Sequence, residues 1–219
     1  MNTVLPETTP ALRDRVAETL TDAIVEGALA PGDALRERAV SEELGVSRVP
    51  VREALLVLEA QRLVVMEPRA GARVTAFTRQ DVRDLFDMRE ALEPLAARRA
   101  GERRDADAIA VLEAHVAAAR AAQEAGDDAA GSRANAAFHL ALVDAAGSPL
   151  LSASAAPLAC QLRRLFRRTI TCREEMMGSA HREVLDAVRA GDAHLAGLAA
   201  RLHVVATREP SLALFEPRT

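Results

Sequence analysis

Three features of the sequence predict a mainly α protein in two parts. The first part is an N-terminal winged helix-turn-helix, built from three helices and a β-hairpin; the second is an all-α bundle of about six helices. Residues 13–60 hold three short runs of helical apolar spacing, separated by turns that contain glycine and proline. A β-branched stretch, "LVVMEPRAGARVTAF", follows at 63–77 with a turn in its middle. Beyond about residue 80 turn residues become sparse, and alanine, leucine, valine, arginine and glutamate dominate, a composition that favours helices.

Residues 1–10, "MNTVLPETTP", have no periodicity and read as a mobile arm. Val16, Leu20, Ala23, Ile24 and Gly27 recur at intervals of three and four, which predicts a helix of about four turns. Gly27 is suited to its C-cap, and Pro31-Gly32 to the turn that follows. "RERAVSEEL" predicts a short second helix ended by Gly45. Ser47 is a suitable N-cap for a third helix, where Pro50 is tolerated because it lies in the first turn. Val51, Ala54, Leu55 and Leu58 form its apolar face. Two strands, near 63–67 and 72–76, flank the turn "PRAG". From 79 to 208 six amphipathic helices are expected, broken at Gly101, at "AGDDAAG", at "AGSP" and around Gly178 and Gly191. The expected domains are 11–77 and 78–209, with a tail at 210–219.

Composition removes several function classes. At 219 residues, 49% hydrophobic and 27% charged, the chain is a globular protein of one or two domains. The net charge of −4 argues against a protein coated in positive charge for nonspecific nucleic-acid binding, but a focused site depends only on its local arginines. With 2% aromatic residues and neither Trp nor Tyr, a base-stacking single-strand binder is disfavoured. Cys160 and Cys172 form no CxxC pattern and read as ordinary thiols in a reducing compartment. The N-terminus lacks a basic region followed by an apolar one, and there is no apolar run of 18 residues. The expectation is therefore a cytoplasmic protein without a membrane partner.

The segment "GVSRVPVREAL" places Arg48 and Arg52 four apart, on one face near a helix N-terminus that itself attracts phosphate. Ser47 can cap that helix and still contact a DNA backbone. Arg69 and Arg73 flank the turn between the strands. An isolated arginine pair of this kind is ordinarily a solvated surface pair, here with Glu43, Glu53 or Glu59 within reach. The surrounding pattern changes that weighting. "PG..L.E", "GVSR.PVREAL" and "G..V" together, over 13–76, resemble the winged-helix domain of the GntR transcription regulators. That resemblance implies that the third helix enters the major groove, that Arg38, Arg48 and Arg52 contact phosphates and base edges, and that Gly71 is the wing-tip glycine that lets the backbone approach the minor groove. The departure is Val49, which stands where the family often has threonine.

The second part, over 81–203, resembles the all-helical FCD ligand-binding domain of the FadR-type branch of that family. It does so through "DVRDLFDMREALEPLAARRA", "NAAFHLALVDAAGSPLL" and "HREVLDAVRAGDAHLAGLAARLH". The resemblance implies a divalent metal, zinc or nickel, on Asn135, His139, His181 and His203, where Asn135 replaces the family's usual aspartate. Asn135 and His139 are i,i+4 on one helix and can share an ion. His181 precedes the apolar Val184, Leu185 and Val188, and His203 lies beside Leu198, Leu202 and Val205, which are expected to be buried. His115 and His194 match no ligand position. A lone inward histidine is usually a hydrogen-bonded core residue, and a plain polar cavity without metal is the competing reading.

Arg89 matches a position where the family's arginine often faces the cavity, which implies contact with an effector carboxylate. A surface pair with Glu93 is the alternative. Of Arg163, Arg164, Arg167 and Arg168, most are expected on the surface, since a helix turns 100° per residue and cannot aim all four at one pocket. The expected function is a dimeric bacterial transcription regulator, a repressor by family habit. It reads an inverted repeat in double-stranded DNA and responds to a small organic acid. A metal-dependent hydrolase fused to a DNA-binding domain is the alternative, weakened because no general base is positioned and there is no HExxH.

Overall fold

The computed structural model describes residues 12–68, 70–169 and 176–215, with the side chains of 176–178 excepted. The chain divides between Ala76 and Phe77 into two compact units. The first contains α1 (Leu12–Glu26), β1 (Ala34–Leu35), α2 (Glu37–Leu44), α3 (Arg48–Ala60), β2 (Val64–Glu67) and β3 (Gly71–Val74). Helix α1 packs on α3, and buried Leu20, Ile24, Val51, Leu55, Leu58 and Leu63 form the core between them and the sheet. Gly27 and Gly45 end α1 and α2 in the left-handed conformation, at φ 84° and 64°, as the sequence predicts.

The hairpin forms with Val64 opposite Val74 and Met66 opposite Ala72. A third strand, β1, pairs antiparallel to β3 on its other edge, with Ala34 opposite Arg73 and Leu35 opposite Ala72. Two residues carry no local β signal, so β1 was not predictable from spacing. Gly71 has φ 96°, and a Cβ there would run into the carbonyl oxygen of Leu35. The wing's own packing therefore requires glycine at this position.

The second unit contains α4 (Arg79–Arg103), α5 (Ala106–Ala125), α6 (Asp128–Ala145), α7 (Pro149–Ala155), a 3₁₀ turn (Ala156–Leu158), α8 (Ala159–Thr169), α9 (Met176–Ala190) and α10 (Ala193–Ala213). The expected six long helices are present among the described residues, together with the short α7. Helix α4 opens on a capping box: Thr78 Oγ1 accepts from the Asp81 N–H, and the Asp81 carboxylate accepts from the Thr78 N–H at 2.8 Å.

Gly101 does not break α4. The helix runs on to Arg103, and Arg104 takes the left-handed cap position at φ 50°. Gly101 is buried within the helix, and a Cβ there would come 3.1 Å from Cα of Ala193 at the start of α10. Gly197 makes the matching approach from α10, where a Cβ would stand 3.1 Å from the Pro94 carbonyl oxygen. The glycines therefore let α4 and α10 pack backbone against backbone, which positions His203 on α10 toward the interior. Gly101→Val is expected to destabilise the chain by about 1–3 kcal/mol through overpacking. Chemical denaturation read by circular dichroism checks this, and an unchanged midpoint would mean that the seam can open at no cost.

Candidate DNA-reading face and histidine cluster

In the first unit α2, α3 and the wing enclose an open groove of about 780 Å³, lined in part by Arg36, Glu37, Arg38, Arg48, Arg52 and Glu67. Arg38, Arg48 and Arg52 extend into solvent, with side chains 83%, 68% and 71% exposed. Ser47 is the N-cap of α3 by backbone conformation, but its hydroxyl makes no capping hydrogen bond, contrary to the sequence expectation. The arginines do not pair with Glu43, Glu53 or Glu59. Arg48 Nη2 donates to Glu37 Oε2 at 3.3 Å, and Arg52 Nε lies 3.9 Å from Glu37 Oε1. Glu37, with a side chain only 21% exposed, thus stands between both arginines where a phosphate could stand.

Arg73 is occupied within the wing: its guanidinium donates to Glu67 at 2.7 Å and to the Gly32 carbonyl at 2.7 Å. Its mutual hydrogen bond with Glu67 lowers the carboxyl and raises the guanidinium. Arg69 lies outside the described residues. Arg36 and Glu37 were not singled out from the sequence; their position at the turn into α2, beside Arg38, was the available signal.

In the second unit Asn135, His139, His181 and His203 are all buried. His139 comes from α6, His181 from α9 and His203 from α10. One nitrogen from each ring lies within 4.8 Å of the other two. His181 Nε2 is 3.3 Å from His139 Nε2. Two imidazole nitrogens bound to one tetrahedral ion at about 2.0–2.1 Å would lie about 3.3–3.4 Å apart, so this separation fits a shared ion. The rings of His139 and His203 stack at 5.3 Å, and Phe138 and Phe166 close the cluster at 4.4 Å from His181 and 5.3 Å from His139.

Arg89 lies inside at the cluster, and Glu93 is its unexpected member. The pair with Glu93 given as the alternative also forms, but in the interior: Arg89 is 1% and Glu93 3% exposed. Arg89 Nε donates to Glu93 Oε1 at 2.7 Å, and Arg89 Nη2 lies 3.2 Å from His139 Nε2. Glu93 Oε2 is 3.0 Å from His139 Nδ1. Burial by itself would raise the Glu93 carboxyl, but the Arg89 charge and the His139 ring outweigh it and hold it well below the usual carboxylate range. The ionised carboxylate accepts from His139 Nδ1–H, which assigns the ring's lone pair to Nε2, the atom facing His181. Burial, together with the neighbouring His181, His139 and Arg89, pushes His203 well below its ordinary value, so its ring is neutral at pH 7 and able to donate a lone pair.

At the cluster, three buried polar atoms of described residues have no hydrogen-bond partner: Asn135 Oδ1, His203 Nδ1 and Arg89 Nη1. An orphaned buried polar group costs about 1–3 kcal/mol. One oxygen and three histidine ring nitrogens make a donor set suited to zinc or nickel. The cavity beside Arg89, Glu93, His139, Val143 and Leu162 is about 10 Å³, room for about one water. His203 itself faces inward, but its expected apolar companions do not. Leu198, Leu202 and Val205 are 44%, 59% and 47% exposed, and small residues (Ala196 and Ala200) fill the inner face.

Comparison with known proteins gives the frame. The model of the gntR family of bacterial regulatory proteins matches residues 12–74, and that of the FCD domain matches residues 84–206, more than half of the chain. The chain belongs to the gntR family. A relative from Paenarthrobacter nicotinovorans, named "Probable D-xylose utilization operon transcriptional repressor", is 31% identical over 89% of this chain and 88% of its own length. The regulator YdhC of Bacillus subtilis (strain 168) is 33% identical over 55% of this chain, and that match spans 54% of YdhC. Among solved structures, a transcriptional regulator GntR from Rhodococcus sp. RHA1 superposes with a TM-score of 0.80 at 25% identity, covering 93% of this chain and 99% of that one. McbR/YncC of E. coli shares the fold, with a TM-score of 0.79 at 23% identity over 94% of this chain and 99% of its own.

The position of Glu37 generates a prediction for this gntR-family reader. Glu37→Gln removes the carboxylate that competes with phosphate for Arg48 and Arg52. Binding to a random duplex is expected to tighten several-fold at low salt, with a smaller ratio of specific to nonspecific affinity. Fluorescence anisotropy at two salt concentrations measures both, and equal nonspecific affinity in the two proteins would contradict the competition.

Proposed function

We propose that this protein is a metabolite-responsive repressor that binds an inverted repeat in double-stranded DNA as a dimer. The observation that carries the reading is the open groove of the first unit, with Arg38, Arg48 and Arg52 extended over the half-buried Glu37. Helix α3 enters the major groove; Arg48 and Arg52 exchange Glu37 for phosphates and base edges, and Arg38 holds the flanking backbone. Ser47 and Gly71 let the chain approach DNA closely, with Arg69 and Arg73 on the wing. Arg73 must release Glu67 to take part, which makes it a weaker contributor than Arg52.

In the helical domain Asn135, His139, His181 and His203 hold a divalent ion, zinc or nickel. That ion would supply a fixed positive charge at the floor of the cavity. Asn135 is neutral where an aspartate would be charged, so the site has one more positive charge and attracts an anionic effector, a small organic acid. Arg89 Nη1 is the remaining donor for its carboxylate. Since the cavity is only about 10 Å³, an effector must displace α7 and α8 to enter. Helix α8 carries Phe166, stacked on His139, and Arg164, whose guanidinium lies 5.0 Å over the Phe77 ring. Phe77 is the first residue of the helical unit, so displacement of α8 acts directly on the start of α4.

The hydrolase reading gains nothing from the geometry, because both oxygens of the carboxylate at the cluster, Glu93, are held by Arg89 and His139. Among the described residues no helix is long and apolar enough to cross a membrane, and we place the regulator in the cytoplasm, on the nucleoid when bound to DNA. Selection of genomic fragments by the purified chain, wild type beside Arg52→Ala at two salt concentrations, tests the reading. Wild type is expected to enrich a palindrome, and the variant to bind it more weakly with a shallower salt slope. Enrichment of nothing by wild type, with and without cell extract, would contradict it.

A further inference from the structure

The outward leucines of α10 bear on a surface that neither the DNA-reading groove nor the histidine cluster uses. Leu195, Leu198, Leu202 and Val205 are 48%, 44%, 59% and 47% exposed. Their spacing of three, four and three keeps them on one stripe along about three turns. The buried residues of the same helix, Ala196, Ala200, His203, Val204 and Thr207, occupy the opposite face. Helix α4 lies beside α10 and runs antiparallel to it: Gly101 abuts Ala193, Pro94 abuts Gly197, Glu90 pairs with Arg201 and Asp87 with Arg208. On α4 the exposed Met88, Ala91 and Leu95 likewise lie opposite the buried Phe86, Arg89, Glu93 and Ala96. The two helices therefore present their apolar residues side by side on one outer face.

We infer that this α4–α10 face is where a second copy of the chain docks, with α10 crossing its own copy antiparallel near Ala200. This inference rests on the dimeric reading above and adds the surface that makes the dimer. Three observations select a second copy as the occupant. The first is size: the six large side chains expose roughly 500 Å² of apolar surface, near the upper end of what a monomer leaves in one patch and a suitable core for the about 800 Å² that each partner buries in a stable interface. The second is self-complementarity. The stripe is symmetric about Ala200, so in an antiparallel contact Leu195 meets Val205 of the other copy and Leu198 meets Leu202, as an isologous two-fold interface requires. The third is charge. Asp87, Glu90, Arg201 and Arg208 along the seam balance one another within each chain, so two like faces meet without net repulsion.

Sedimentation of the full chain tests this, with wild type compared to Leu198→Arg, Leu202→Arg, Leu202→Gln and the control Leu150→Arg, whose side chain is 79% exposed on α7. Wild type and the control are expected to be dimers at micromolar concentration. Each arginine variant on the stripe is expected to raise the dimer dissociation constant at least 100-fold and the glutamine variant about 10-fold, all with unchanged helical circular dichroism. If wild type is a dimer and the stripe variants dimerise as tightly, the surface assignment is overturned while the dimeric reading survives. If wild type is monomeric alone and on its selected DNA, the dimeric reading itself fails. Should an arginine variant lose its helicity, the glutamine variant decides, and an unchanged constant there also overturns the assignment.

Discussion

The helical unit is organised around one buried interaction, the contact of Glu93 with Arg89 on one side and His139 on the other. Three charged or ionisable groups sit in the interior at 1–3% exposure, which is tolerated only because each neutralises or hydrogen-bonds the next. Removing one partner would leave an uncompensated buried charge, a cost of about 3–5 kcal/mol. The same contact ties α4 to α6 and sets the tautomer of His139. It thereby directs the Nε2 lone pair toward His181 and the interior, where Asn135 Oδ1 has no other partner. Glu93 acts here through His139, as a positioning residue for the proposed ion.

From that centre the packing runs in two directions. Through Phe166 it reaches α8, then Arg164 and Phe77 at the boundary of the unit; Arg168 over Phe215, itself edge-on to Phe77, closes the same cluster. Through His203 it reaches α10, whose inner face is small because the backbones of α4 and α10 approach so closely. Large apolar residues cannot fit in that seam, and they are carried on the outside. Thus the arrangement that positions His203 also produces the apolar outer face.

The close seam also explains what the sequence could and could not tell. The three helices and hairpin of the first unit were legible because their evidence is local: turn glycines, a proline in a first turn and a β-branched stretch, whereas two arginines four apart pointed to DNA only within the family pattern. The three histidines were legible only through the family pattern, since each alone resembles a core residue. Arg89 was legible as a cavity arginine only through the family pattern; the alternative, a surface pair with Glu93, is what i,i+4 pairs usually are. Yet Val82, Phe86, Arg89, Glu93, Ala96 and Ala100 share one helical stripe, and that spacing was the available sign of burial. Leu198, Leu202 and Val205 were expected inside by the ordinary rule that large apolar residues are buried. Gly101 was read as a break because a local rule takes glycine as punctuation. Both errors have one cause, the approach of α10 to α4, which is a long-range contact that no window of sequence contains. Strand β1 escaped for the same reason, since its partner β3 lies far along the chain.

The central claim is that the Glu93-oriented histidines and Asn135 hold a divalent ion. The most direct measurement is the metal content of the purified chain after dialysis against limiting zinc or nickel, for wild type, His181→Ala and Glu93→Gln. Wild type is expected to retain about one ion per chain and His181→Ala almost none. Glu93→Gln is expected to bind about 10–100-fold more weakly, because the ring it orients is no longer held. Equal metal content in wild type and His181→Ala would contradict the account and leave the cluster as a hydrogen-bonded polar core.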